Sequence, residues 1–419
     1  MGPADEVSAL GLTGEQYAQW CAARGGVWAK GGRMGQLARY AKLFREGRLE
    51  QEGMAERIAP IGRVHVSDSI EGDVIKFTQL VSVERLGGVG GGGSSGPVRA
   101  SSLDTSLPVV GQSPAGAELE IESVLIPMIG RTHHLCYTLC VSSQVGCAMG
   151  CGFCQTAQMG LIRSLRPEEI VGQWFAAKHI VASERLKRPG LDITNIVFMG
   201  MGEPMDNVEN VIQAIAVLTD RRGPSIAMSK ITVSTVGRVD GIERLAESVR
   251  QPGWHRLSLA VSLNAPNDEI RGRIMPINRA VPLAKLRTAM ENWPLYSSAH
   301  LCLEYVLIPG VNDADEHAEQ LAAYVLGREY AGPAEFGTAW ADRPRLQGLV
   351  NVIPYNPRDG SPWPAPGEEA IGRFMMRLNE RNVPNKRRRT KGRETMAACG
   401  QLGNPEITRA KVRAALSGG

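Results

Sequence analysis

The sequence predicts an α/β protein: a partial (β/α)6 barrel behind a small helical N-terminal domain. Three observations predict it. From Cys147 onward strand-like and helix-like segments alternate with short connections, which implies a parallel sheet built by right-handed crossovers. The alternation amounts to six strand–helix units and then runs out, which favours a partial barrel over a closed eight-unit one. Polar residues gather just after the strand-like runs, in MGMGEP, STVG, SLNAPND and PYNP, where parallel barrels place their active sites.

Taken in order, residues from about 12 to 60 read as helical. EQYAQWCAARGG and MGQLARYAKLFREG carry apolar residues at three- and four-residue spacing. Strand-like GDVIKFTQLVSV and ELEIESVLIPM follow. Between them GGVGGGGSSGPVRASSLDTSLPVVGQSPAGA lacks periodicity and reads as a flexible surface loop joining two strands of a hairpin. No Lys-Ser/Thr closes its glycines and no helix follows, so it is not a phosphate-binding loop. The alternating part opens with PEEIVGQWFAAKHIVASER, a helix started by Pro167, and the strand ITNIVFMG. NVENVIQAIAVLTD, KITVSTVG, GIERLAESV, RLSLAVSLN, LAKLRTAMENW, CLEYVLIPG, EHAEQLAAYVL, GLVNVIPYN and EEAIGRFMMRLNERN continue it. The expected division is a helical accessory domain over 1–62 and a strand-rich linker over 63–128, with the insert at about 87–117. A core over 129–403 and a tail over 404–419 complete it.

Of the 419 residues 43% are apolar and 21% charged, ordinary for a globular protein. No apolar run reaches the roughly 20 residues of a membrane span. MGPADEVSAL lacks a signal pattern and misses the last position of a myristoylation signal, so a cytoplasmic protein with no membrane partner is expected, an organellar one being the alternative. A net charge of +4 barely argues for nucleic acid. Lys386, Arg387, Arg388, Arg389, Lys391 and Arg393 nevertheless fall within eight residues, as a solvated face or as a strip for an RNA backbone.

Eight cysteines, three of them clustered, fit a reducing compartment with metal and catalytic thiols. Cys147, Cys151 and Cys154 stand at C-x3-C-x2-C spacing. Three thiolates this close suit three irons of a [4Fe–4S] cubane and leave the fourth iron open to a small molecule. A structural zinc site is the other reading, but no second C-x2-C or H-x3-H follows to complete four ligands. With Phe153 beside it, the motif is the arrangement by which radical S-adenosylmethionine enzymes cleave that cofactor reductively.

Together with MGMGEP, SLNAPNDEIRGRIMPIN, YVLIPGVND, NVIPYNP and AACGQL in this order, the cysteine motif closely resembles the RlmN/Cfr family. These are radical S-adenosylmethionine methyltransferases acting on adenosine in RNA. The resemblance covers residues 120 to 403 and, more faintly, the helical N-terminus. It implies a radical-SAM barrel, a [4Fe–4S] cluster on Cys147, Cys151 and Cys154, and two S-adenosylmethionines per turnover. Cys399 matches the cysteine that is first methylated. A second S-adenosylmethionine, on the open iron, gives a 5′-deoxyadenosyl radical that activates this methyl for addition to the base. Cys140 matches the thiol that releases the product by forming a disulfide. Glu122 matches a proton acceptor, although one Glu on an alternating strand is more often solvated. Gly202 and Glu203 match the segment holding the cofactor's amino group. Ser234, Ser262, Leu263, Asn264 and Asn356 match further cofactor contacts.

Implied partners are 23S ribosomal RNA and transfer RNA, gripped in part by the N-terminal helices, and an electron donor such as flavodoxin or ferredoxin. A monomer is expected. QVGCAMGC looks more like the carbon-2 methylating branch than the carbon-8 resistance branch. A diverged methylase of another substrate and a non-catalytic RNA-binding or iron–sulfur protein are the remaining readings. Cys21, Cys136 and Cys302 match nothing and read as packing residues; His133 and His134 read as surface polarity. Departures from the family are Asn264 in place of a usual His, the Gly-rich insert, the extra RQPGWHR, and Arg393 within KGRETMAACGQL.

Overall fold

The computed structural model describes residues 8–47, 58–82, 118–130, 133–187, 190–297, 299–330, 340–358, 360–389, 391–392, 395–404 and 406–409. Helices α1 (Gly14–Arg24) and α2 (Gly32–Glu46) open the chain. Thr13 caps α1 in a reciprocal box with Gln16, which satisfies two of the helix's orphan donors. Tyr17, Cys21, Leu37, Tyr40 and Phe44 turn inward from both helices. Phe44 meets Trp174 and Phe175 at ring-centroid distances of 6.2 and 6.3 Å, so these helices share the core of the barrel.

Strands β1 (Ile61–Ser67), β2 (Val74–Ser82), β3 (Glu118–Ile129) and β4 (Leu135–Cys140) pair antiparallel in succession. Ser82 stands opposite Glu118, so the insert does join two strands of a hairpin; residues 83–117 lie outside the described residues. The stretch read as a strand-rich linker thus supplies three strands continuous with the barrel sheet. A short ribbon, β5 (Gln144–Val145) with β6 (Arg163–Ser164), flanks the cysteine loop and its helix α3 (Gln155–Met159).

The six parallel strands are β4, β7 (Ile193–Phe198), β8 (Ile231–Thr235), β9 (Ser258–Ser262), β10 (Leu301–Leu307) and β11 (Gly348–Pro354), adjacent in that order. Their crossovers carry α4 (Pro167–Phe175, continuing as π-helical turns to Arg185), α5 (Val208–Thr219), α6 (Val239–Val249), α7 (Asp268–Ile274), α8 (Leu283–Glu291) and α9 (Asp315–Leu326). Helix α10 (Glu368–Glu380) follows β11 and leads to β12 (Asn385–Arg387), a seventh parallel strand beside it. Buried Val211, Ala214, Ile215, Val217 and Leu218 show why α5 packs as it does: apolar residues at helical spacing line one face. The expected six-unit α/β barrel is present. Strands β1 and β12 and helix α7 were not read from the sequence.

Candidate active site

A cavity opens at the C-terminal ends of the parallel strands. Cys147, Cys151 and Cys154 line it beside Phe153. Their loop is held through its backbone carbonyls: the Gln158 side-chain Nε2 donates to the Cys151 and Cys154 carbonyls, each at 3.2 Å. The Gly152 N–H donates to the Ile274 carbonyl at 3.0 Å. Burial pushes all three thiols upward, and neighbouring thiols add to this at Cys147 and Cys151. Metal binding reverses such a preference, because the ligand is the thiolate.

Among the described residues no three His, Cys, Asp or Glu side chains sit close enough to hold a single metal ion. All three thiols line the one cavity, the three-ligand set that leaves one iron of a cubane open. The residues present therefore fit a [4Fe–4S] cluster with room beside it for a cofactor.

Glu203 enters from the turn after β7 and is 2% exposed. Its oxygens accept from the Met205 N–H at 3.0 Å and the Val236 N–H at 2.9 Å. Burial pushes its carboxyl up to about 7, against the hydrogen bonds from Thr235, Val236 and Met205. A buried carboxylate lining the cavity is suited to an ammonium ligand. Gly202 lets the chain reach this position: its φ is +99°, and a Cβ there would lie 2.5 Å from the Gln144 Cβ.

Ser234, Ser262, Asn264 and Asn356 also line the cavity. Leu263 is not among the lining residues; its backbone N–H donates to the Glu304 carbonyl at 3.0 Å. Asn264 sits at a φ of 57°, a left-handed conformation that Asn tolerates better than most residues. Its Oδ1 accepts from the Val306 N–H at 2.8 Å, so it serves the local backbone as well as the cavity wall.

Cys399 reaches the same cavity from the C-terminal segment. Asn356 Nδ2 donates to its carbonyl at 3.3 Å, and the Gln155 N–H donates to the Gly400 carbonyl at 2.7 Å. Cys140 ends β4 and is 4% exposed. Burial raises its pKa to about 12, Cys399 adds to the rise, and Arg388 and the Met199 N–H oppose it. Glu122 on β3 is buried rather than solvated and is not among the cavity-lining residues. One of its oxygens lies 2.9 Å from Lys76 Nζ and the other accepts from the Gly403 N–H at 2.8 Å.

Two charged lining residues were not assigned to the site from the sequence. Glu304 on β10 is 5% exposed, and Asn351 Nδ2 donates to both its oxygens, at 3.2 and 3.0 Å. The signal was a Glu between apolar residues in CLEYVLIP, on the same strand face as Cys302. Arg388, just past β12, points into the barrel with 24% of its side chain exposed, 3.7 Å from Glu304. Its Nη1 lies 3.3 Å from Met199 Sδ.

The basic run is thus not one solvated or RNA-tracking face. Arg387 pairs with Glu368 at 2.7 Å. Lys391 reaches Glu71 and the Pro127 carbonyl, each at 2.6 Å. Arg389 and Lys386 remain exposed, and Arg393 lies outside the described residues. Cys21 is buried in the N-terminal core, while Cys136 and the His134–Asp192 pair lie at the opposite end of the barrel from the cavity.

Comparison with known proteins agrees with this geometry. The profile of the radical SAM superfamily matches residues 141–322. A probable dual-specificity RNA methyltransferase RlmN 1 of Protochlamydia amoebophila is 42% identical over 295 residues, 70% of this chain and 72% of that one. The dual-specificity RNA methyltransferase RlmN of Anaeromyxobacter dehalogenans is 40% identical over 301 residues, 71% and 73% of the two chains. The crystal structure of a radical SAM methyltransferase from Sphaerobacter thermophilus superposes with a TM-score of 0.69 at 31% identity, covering 94% of this chain and 99% of that one. With its cysteine loop, strand-end cradle and C-terminal thiol assembled on this barrel, the chain belongs to the RlmN family of radical S-adenosylmethionine RNA methyltransferases.

Proposed function

We propose that this protein methylates carbon 2 of adenosine in 23S ribosomal RNA and in transfer RNA, through methylated Cys399 and a transient Cys140–Cys399 disulfide. One observation carries the reading: Cys399, from the far end of the chain, lines the same cavity as the three-cysteine loop, with Cys140 close behind it. An sp² ring carbon is too weak a nucleophile for direct methyl transfer, and a thiol beside a radical source overcomes that limit.

Cys147, Cys151 and Cys154 would hold the cluster, and Glu203 the amino group of S-adenosylmethionine, with Gly202, Ser234, Ser262, Leu263, Asn264 and Asn356 around it. When bound, these groups supply the methyl carbon, an electron and the radical that activates that carbon. Cys399 accepts the methyl group from one S-adenosylmethionine and carries its carbon to the base. A second S-adenosylmethionine is used up in activation.

Release then falls to Cys140. Its thiolate attacks the Cys399 sulfur, the S–S bond forms, and the S–C bond breaks. The electron pair moves to the former methylene carbon, which takes up a proton as the ring carbon loses its own. The unpaired electron left on the base would return to the cluster, so the product is a methyl group and an oxidised thiol pair that an external dithiol reduces for the next turnover. Glu122 is the proposed acceptor of the ring proton. Its oxygens are engaged by Lys76 and Gly403 here, so that role needs a shift of the C-terminal segment.

The target base must leave its stack to reach so enclosed a site, and helices α1 and α2 in the 1–62 region are the proposed clamp. A flavodoxin or ferredoxin is the proposed electron donor, for a cytoplasmic monomer. No helix among the described residues is long and apolar enough to cross a membrane.

The test is anaerobic turnover with methyl-deuterated S-adenosylmethionine, a reductant, and protein-free ribosomal and transfer RNA. Deuterated 2-methyladenosine in the digested RNA is the expected product. 8-Methyladenosine would move the chain to the resistance branch. Methylated Cys399 with 5′-deoxyadenosine but unmodified RNA would point to another substrate.

A further inference from the structure

Arg388 is presented by the last strand of the sheet yet crosses the barrel interior to its first strands. Nη1 lies 3.3 Å from Met199 Sδ, just past β7, and 3.7 Å from a Glu304 oxygen on β10. Met199 follows β7, the strand that pairs with β4 and places Val197 opposite Cys140. Arg388, Glu304, Met199 and Cys399 all line the one cavity. Neither Arg388 nor Glu304 has a part in the mechanism above.

The titratable groups facing the guanidinium are Cys140 from β4, Cys302 and Glu304 from β10, and Cys399 from the C-terminal segment. Glu304 is an ion-pair partner at 3.7 Å, and Asn351 also engages both its oxygens. Burial pushes the Glu304 carboxyl up, and Arg388 opposes that rise. Of the charges acting on the guanidinium, Cys399 is the strongest, ahead of Glu304, with Cys140 and Cys302 following.

We propose that Arg388, braced by Glu304, is a positioning residue that stabilises negative charge on the Cys140–Cys399 thiol pair and so speeds formation of the disulfide that releases the product. This rests on the roles given to Cys140 and Cys399 under the proposed function. Thiolate is the attacking species in such a step, and Cys140 is otherwise too buried to ionise. A fixed cation is the cheapest remedy, since arginine keeps its charge at every working pH. Glu304 aims the cation and draws off part of its field.

The experiment compares wild type with Arg388→Met, Arg388→Lys and Glu304→Gln as anaerobic, cluster-loaded full-length proteins. Diamide removes two electrons and two protons from the thiol pair, and the Cys140–Cys399 disulfide is quantified by peptide mass spectrometry across a pH series. Visible absorbance reports an intact cluster throughout. Arg388→Met should slow disulfide formation by about tenfold near neutral pH, the equivalent of about one unit of thiol ionisation, and recover as pH rises. Arg388→Lys should stay within about threefold of wild type, as a retained charge predicts. Glu304→Gln should be as fast as wild type or faster.

Opposite signs for Arg388→Met and Glu304→Gln are the mark of electrostatics, because loosened packing slows both at every pH. The proposal is overturned if the two variants slow together without recovery at high pH, or if Arg388→Met matches wild type. The underlying assignment fails separately: wild type would then turn over RNA without forming this disulfide, while the diamide profiles stayed readable.

Discussion

Lys76 and Glu122 form a buried ion pair 2.9 Å apart across neighbouring strands, and both also hold the segment that carries Cys399. Lys76 Nζ donates to the Met396 carbonyl at 3.1 Å, and Glu122 accepts from the Gly403 N–H at 2.8 Å. Cys399 is thus suspended between two anchors that trace back to one pair. Lys76→Met leaves Glu122 buried without its cation and should cost about 3–5 kcal/mol, whereas the Lys76→Met/Glu122→Met double variant should cost much less. Urea unfolding of the three proteins measures both values.

The two extra thiols should fail differently. Cys399→Ala should abolish methyl transfer, leaving unmodified RNA. Cys140→Ala should retain RNA covalently on the protein, visible as a shifted, nuclease-sensitive band on a denaturing gel. Free methylated RNA released from Cys140→Ala at the wild-type rate would remove Cys140 from the resolving role.

Glu203 gives a pH signature of known sign. Its carboxyl is raised from 4.5 to about 7 by burial, so the unliganded folded state holds a proton that the unfolded chain has lost. Glu203 therefore withdraws stability as pH rises from about 4.5 to about 7 and adds no further change above that. A cationic amino group favours the ionised form. S-adenosylmethionine should then bind more tightly as pH climbs through about 7, and Glu203→Gln should flatten that slope, as read by equilibrium binding.

Gly202→Ala tests the turn beneath that carboxylate. A positive φ and a Cβ 2.5 Å from the Gln144 side chain act together. The expected loss is roughly 1–3 kcal/mol of stability for the backbone strain alone. Weakened cofactor binding should accompany it, measured on the same protein by calorimetry.

Arg271 is wholly buried and donates to the Leu263, Val281, Val236 and Ser262 carbonyls and to Asn278 Oδ1. It fastens together the loops that follow β8 and β9. Arg271→Lys cannot reproduce the fork and should lower the midpoint of thermal unfolding and loosen cofactor binding together.

The barrel was legible in the sequence because each unit repeats a pattern, such as NVENVIQAIAVLTD between two strand-like runs. The cysteine loop was legible because spacing alone carries its chemistry. Arg388 was hidden for the opposite reason: three consecutive arginines have the same composition whichever way each one points. Only the β12 register, which pairs Arg387 with Val352, separates an inward Arg388 from its outward neighbours. Strand β1 escaped because IGRVHVS is an edge strand whose charged and solvated positions blunt the apolar alternation. Glu122 misled in a third way, since its partner Lys76 comes from across the insert.

Closure of the barrel mouth by the C-terminal segment also orders events during synthesis. Thr156, just after the cysteine loop, bonds the Leu402 carbonyl, 246 residues later. At about 5–20 residues per second, the cysteine loop leaves the ribosome roughly 12–50 s before its cover exists. A nascent chain therefore carries its three clustered thiols before residues 396–403 exist to cover them. Iron–sulfur loading has that interval in which to precede burial, and chains that close empty have to reopen the same seam to be filled.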